Sequence, residues 1–125
     1  MNLAPHLAAG QRAEDQALEL LRAAGLKLLA RNYRCPQGEL DLVMNDGETL
    51  AMVEVRYRRD RGFGSAAETV GTRKQEKLLH AAQHFLQQDA RYRRQPLRFD
   101  VVAVTEAADG ALQTEWIKDA FRADF

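Results

Sequence analysis

Gly38-Glu39-Leu40-Asp41-Leu42-Val43-Met44 runs into Asn45-Asp46-Gly47-Glu48 and out again through Thr49-Leu50-Ala51-Met52-Val53-Glu54-Val55-Arg56-Tyr57. An Asp-Gly pair between two apolar-rich runs is a strong hairpin signal. A turn on Asp46-Gly47, or on residues 45–48, makes paired positions sum to 93 and sets Asp41 against Met52 and Glu39 against Glu54. Strand side chains alternate, so Glu39, Asp41, Glu54 and Arg56 share one face in that register. The other face carries Leu40, Leu42, Met44, Ala51, Val53 and Val55, a surface suited to packing on helices. Asp41 and Glu54 become diagonal neighbours with backbones roughly 7–8 Å apart, and their carboxylates can converge on one small cation. A loop of odd length would put them on opposite faces, so the site rests on the register.

Carboxylates facing each other across strands repel unless a counter-charge intervenes. Arg56 is one counter-charge and a divalent metal is another. Mg²⁺ takes one or two carboxylates, waters and a substrate phosphate in preference to a full protein cage. The alternative is a solvated sheet face on which Arg56 pairs with Glu54 or Glu39.

Outward from the hairpin, Ala8 to Ala24 reads as a helix closed by Gly25, with Ala13, Ala17, Leu20, Leu21 and Ala24 as its apolar stripe. Glu14 borders that stripe, where an inward carboxylate takes a partner or a metal and an outward one is merely solvated. Leu26–Tyr33 reads as a strand, although Leu28-Leu29-Ala30 also suits a helix. Residues 58–71 form a long Gly-containing loop with a helical turn near Ala66–Val70, and loops of this length are functional or mobile. Thr72 starts a second helix with Gln75 completing a capping box, and Leu78, Leu79, Ala82, Phe85 and Leu86 form its stripe. Strands at Phe99–Val104 and Leu112–Lys118 follow. The order αβββαββ implies an α/β domain with a mixed central sheet flanked by helices, one domain over residues 1–125.

The chain of 125 residues is 46% hydrophobic and 29% charged, the composition of a globular domain. Its single cysteine, Cys35, excludes an internal disulfide and a cysteine-based zinc site. That fits a reducing, cytoplasmic location, as does an N-terminus without a signal-peptide pattern. No apolar run is long enough to span a membrane. Net charge is zero but unevenly spread: residues 56–98 carry eleven Lys/Arg against four Asp/Glu, between acidic flanks. A local basic segment of this kind follows a phosphate backbone or forms a solvated surface. Arg56, Arg58, Arg59 and Arg61, with Tyr57 and Phe63 among them, suit phosphate contacts and base stacking. Lys74 and Lys77 add charge at the start of the second helix, where backbone donors already favour phosphate.

Gly38-Glu39-Leu40-Asp41-Leu42-Val43 followed by Val53-Glu54-Val55-Arg56-Tyr57-Arg58 resembles the Asp…Glu-x-Lys signature of the PD-(D/E)xK nuclease superfamily. Within it the chain is most similar to the YraN-like family of small uncharacterised bacterial proteins, related to Holliday junction resolvases. The likeness extends through Gly10-x-x-Ala13-Glu14-x-x-Ala17, Arg31-Asn32-Tyr33-Arg34, Phe63-Gly64…Glu68 and the helix at Lys74. It implies a restriction-endonuclease-like (tRNA-endonuclease-like) core, with Asp41 and Glu54 as ligands of Mg²⁺ or Mn²⁺ and Glu14 as a further site acid. It also implies action on structured or branched DNA rather than RNA, and by analogy a homodimer. Arg56 stands where the superfamily has lysine, and guanidinium keeps its proton in proteins, so Arg56 can clamp phosphate but cannot act as a base. The expectations are therefore a metal-dependent endonuclease, a nucleic-acid-binding module of nuclease fold that cuts weakly or not at all, or a protein-interaction scaffold.

His80 and His84 lie one helical turn apart without a third zinc ligand in view, and read as surface residues. Asp100, at the opening of its strand, is either another site acid or a strand-end partner in an ion pair.

Overall fold

A computed structural model describes residues 5–59 and 70–122. Helix α1 spans Pro5–Ala23. It stops where Gly25 takes a left-handed conformation (φ +97°). The Gly25 N–H donates to the Arg22 carbonyl and the Leu26 N–H to the Leu21 carbonyl, the paired bonds of a Schellman end. Ala13, Ala17, Leu18 and Leu21 are its buried residues, with Leu18 taking the place expected for Ala24, which is exposed.

Strands β1 (Lys27–Cys35), β2 (Gly38–Asp46) and β3 (Thr49–Arg58) follow as an antiparallel meander. Helix α2 (Thr72–Gln88) and a short 3₁₀ turn (Ala90–Tyr92) then lead to β4 (Leu97–Glu106) and β5 (Leu112–Phe121). The sheet order is β1-β2-β3-β4-β5, antiparallel except for the β3–β4 pair, which is parallel because α2 carries the chain back between them. The expected order αβββαββ and the mixed α/β sheet are thus observed. The helical turn expected near Ala66–Val70 falls outside the described residues except for Val70 itself, which is buried.

Each face of the sheet is covered by a helix. Helix α1 packs against Leu42, Met44, Ala51, Val53, Val102 and Val104. Helix α2 places Leu78, Ala81, Ala82 and Phe85 against Leu40, Val43, Leu50, Met52, Phe99 and Val101. Two expectations are corrected here. The carboxylate side of the hairpin is itself half of the core, not a solvated face. Leu40 and Leu42 also lie in different halves of that core, so strict alternation breaks at Asp41.

On β4, opposite Val53 and one step from the residue that pairs with Glu54, Asp100 is fully buried and links β4 to β5. It accepts from the Arg98 guanidinium (3.0 Å), the Trp116 indole (3.0 Å) and the Asp119 amide (3.0 Å). Arg98 also reaches Asp46 at 2.8 Å, tying the hairpin end into the same network. Of the two readings of Asp100, the structural ion pair is the one observed. Asp119 holds φ +52°, a conformation that the hydrogen bond from its N–H to the Asp100 carboxylate helps to hold.

Gly38 sets how closely α2 approaches the sheet. A Cβ at this position would lie 2.9 Å from the Lys77 carbonyl oxygen, with backbone on both sides and no flexible group to give way. Gly10, inside α1, has nothing within 4 Å of such a Cβ. The same substitution should therefore act with opposite signs: Gly38→Ala lowers stability by about 1–3 kcal/mol through overpacking. Gly10→Ala raises it by about 0.5–1 kcal/mol through helix propensity. Urea unfolding midpoints of the two variants check this, and equal shifts would contradict the assigned contact.

Candidate active site

The hairpin turns on Gly47-Glu48, so Asp46 faces Thr49 and paired positions sum to 95. This corrects the expected sum of 93. Gly47 takes φ +63° as first loop residue, the position where a two-residue turn of type II′ requires glycine. Asp46 is thereby kept in the strand, within reach of Arg98. A shift of two residues preserves the parity of the strands, so the argument that brings Asp41 and Glu54 together survives it. The change is in their spacing: one step beyond the last ladder pair, Leu42 with Val53, the same register sets Asp41 opposite Glu54 instead of diagonal to it.

Ladder pairing between β2 and β3 stops at that pair, while β3 continues alongside β4 through Glu54, Val55 and Arg56. The Val55 N–H, left without a partner from β2, donates to Asp41 Oδ2 at 2.8 Å. Asp41 therefore replaces the backbone carbonyl that a longer ladder would have supplied, and its carboxylate is fixed at the point where the strands part. Glu54 is buried beside it, its side chain only 6% exposed. Glu54 Oε1 lies 3.8 Å from Arg56 and 3.5 Å from Lys74 of α2. Glu54 Oε2 is buried with no hydrogen-bond partner among the described residues.

Electrostatics follow from this geometry. Burial pushes the Glu54 carboxyl up to about 7, and the neighbouring Asp41 charge adds to the rise, against relief from Lys74 and Arg56. Burial likewise raises Asp41 to about 6; the Val55 N–H opposes this most strongly, Lys74 opposes it too, and Glu14 and Glu39 add to it. Lys74 acts on both acids.

The remaining expected residues sit at varied distances from this pair. Glu14 is close enough for its charge to act on Asp41, but it accepts from Arg31 at 3.2 Å, and Asp15 takes the other end of that guanidinium at 2.7 Å. Of its two readings, the inward carboxylate with a partner is observed, and the solvated one is not. Glu39 pairs with Arg34 at 3.6 Å and is more exposed. Arg58 is half-buried, Arg59 and Lys77 are exposed, and Arg61, Phe63, Gly64 and Glu68 lie outside the described residues. Thr72 is the first helical residue of α2; Gly71 caps it without a side-chain bond, and Gln75 donates to the Val70 carbonyl, so the expected capping box does not form. His84 is held by the Tyr33 hydroxyl, which removes it from the exposed histidine pair read from the sequence.

Sequence reading placed Lys74 among phosphate contacts but missed its bond to Glu54, since 20 residues and a loop separate them. The Glu14–Arg31 pair was also missed. Its available signal was Asn32, which adopts φ +55° and so departs from regular strand geometry beside Arg31.

Among the described residues no three His, Cys, Asp or Glu side chains form a metal cage. Two adjacent carboxylates, one half-buried and one buried with an orphaned oxygen, nevertheless match the sparse carboxylate set that Mg²⁺ uses when waters and substrate complete its shell. The donor set fits a hard divalent cation.

Fold and site define an α/β protein built around a buried acidic pair. Its sequence matches the uncharacterised protein family UPF0102 over residues 13–104. A relative from Pseudomonas fluorescens is 50% identical over 116 residues, covering 93% of this chain and 94% of the relative. One from Stutzerimonas stutzeri is 54% identical over 112 residues, covering 90% and 92%. The chain belongs to this family, the YraN-like family of uncharacterised bacterial proteins. No described helix is long and apolar enough to cross a membrane.

Both site carboxyls hold protons more tightly in the fold than in the unfolded chain. They therefore favour the fold increasingly as pH falls from about 7 towards the ordinary carboxylate range near 4, and oppose it as pH rises. Asp41→Asn and Glu54→Gln should each raise stability at pH 8 by about 1–3 kcal/mol, with the gain vanishing near pH 4. Urea unfolding at the two pH values measures it; a gain that persists unchanged at pH 4 would contradict the electrostatic cause.

Proposed function

We propose that this chain is a divalent-metal-dependent endonuclease with a restriction-endonuclease-like core, acting on structured or branched DNA. The observation carrying this reading is the convergence of half-buried Asp41 and buried Glu54 at the parting of β2 and β3, mutually repelling and with Glu54 Oε2 unsatisfied. Folding alone does not favour two such carboxylates; a cation between them offsets both the repulsion and the missing hydrogen bond. Asp41 and Glu54 would hold Mg²⁺ or Mn²⁺, with Glu14 near enough to assist electrostatically. A bound divalent ion supplies Lewis acidity at a phosphoryl oxygen and lowers the pKa of a coordinated water.

The protein's own residues do the rest. The Val55 N–H fixes the orientation of Asp41. Arg56, beside Glu54, presents a guanidinium suited to a non-bridging phosphate oxygen. Arg58, Arg59, Lys74 and Lys77 neutralise phosphates along a strand laid across this side, a contribution that weakens as salt rises. In hydrolysis the oxygen of water bonds to phosphorus and one ester P–O bond breaks. Its electrons leave with the departing oxygen, which takes up a proton.

Arg56 favours a second reading, a nucleic-acid-binding protein of the same fold that cuts poorly, because arginine cannot accept the proton of water. Incubation of the purified protein with nicked, flapped, branched and single-stranded DNA and RNA, in Mg²⁺, Mn²⁺ or EDTA, separates the readings. The proposal expects metal-dependent cleavage of structured DNA, reduced at least about 10²-fold by Asp41→Ala or Glu54→Ala. Cleavage that survives both substitutions would sink it. Salt-dependent binding without cleavage selects the second reading, and no binding near physiological salt selects a protein scaffold. The mass of the complex in the same preparation reads out the homodimer expected by analogy with resolvases.

A further inference from the structure

Arg56 and Lys74 both approach Glu54 Oε1, but from different elements and with different reach. Arg56 follows Glu54 by two residues on β3 and lies 3.8 Å away. Lys74 comes from the first turn of α2 and lies 3.5 Å away. The Lys74 charge acts on Asp41 as well as on Glu54, so the ammonium at 3.5 Å from Glu54 lies near both acids. Its side chain is 41% exposed, so the ammonium faces the acids and solvent together. An ammonium carries three donors on a compact head, and the acid pair does not exhaust them.

The fold holds this lysine in place. Gly38, at the start of the strand that bears Asp41, lets the α2 backbone at Lys77 approach to a distance that no side chain would allow. One helical turn before Lys77 is Lys74. The first turn of α2 contains no acid and has no side-chain cap.

We infer that Lys74, reaching Glu54 from the first turn of α2, is the residue that contacts the reacting phosphate in this site. The inference rests on the nuclease reading for the nature of the substrate, a phosphodiester. It adds the direction of approach: the reacting phosphate lies against the first turn of α2, between Lys74 and the acid pair. Arg56 then serves the flanking phosphate.

The test compares wild type, Lys74→Met, Lys74→Arg and Arg56→Gln in two assays. Lys74 is half exposed, so its replacement opens no core, and circular dichroism verifies the fold. In cleavage assays with Mg²⁺, Lys74→Met should lower kcat about 10²-fold at a KM within about threefold of wild type. Lys74→Arg should recover part of the loss, and Arg56→Gln should act chiefly on KM. The second assay needs no turnover: thymidine 5′-monophosphate is titrated in the presence of Mn²⁺, and paramagnetic broadening of its phosphorus resonance reports phosphate at the metal. Lys74→Met should weaken that binding about tenfold, and Arg56→Gln less. Wild-type cleavage that persists in Lys74→Met overturns the inference and leaves the nuclease reading standing. Absent cleavage with Lys74-dependent broadening does the reverse. Broadening that is equal in wild type and Lys74→Met, or absent from both, overturns the assignment to Lys74.

Discussion

The hydrogen bond from the Val55 amide to the Asp41 carboxylate is the interaction on which the site depends. It forms because β2 pairs with β3 only from Leu42 to Asp46 while β3 continues beside β4, so a backbone donor needs an acceptor at the point of divergence. A carboxylate fills that need, and in doing so it is pinned next to Glu54 in surroundings nearly closed to water. Burial raises the proton affinity of both acids, and the Asp41 charge raises that of Glu54 further. The arrangement is unfavourable as a structural device and favourable as a seat for a cation.

Other features of the fold secure this point. Asp100, Arg98, Trp116 and Asp46 tie β4 to β5 and to the turn end of the hairpin, so the hairpin cannot shift its register without breaking this network. Gly38 admits α2 at close range and α2 delivers Lys74. Helix α1 brings Glu14 near, with its charge moderated by Arg31. The two faces of the sheet thus contribute an amine from one helix and a restrained carboxylate from the other.

Much of this was legible in the sequence because the hairpin carries a period-two pattern and a glycine turn. The turn was misplaced by one residue and the register by two, yet the shared side of Asp41 and Glu54 survived, since parity and not exact spacing decides it. Helix α1 was readable to its last turn because Gly25 marks the end; α2 was readable in extent but not in its cap, where Gly71 outcompetes Thr72. What could not be read were contacts made by long side chains across the chain: Lys74 to Glu54, Arg31 to Glu14, Trp116 to Asp100. Local pattern states which way a residue points only while alternation holds, and alternation breaks at Asp41, the residue that matters most.

The central claim is that Asp41 and Glu54 together bind a divalent cation. Anomalous diffraction from a crystal equilibrated with Mn²⁺, with data collected at the manganese edge, measures this directly. The account expects one strong peak bonded to oxygens of both carboxylates, absent from crystals of Glu54→Gln. A map with no peak there, or with manganese bound only elsewhere, would contradict it.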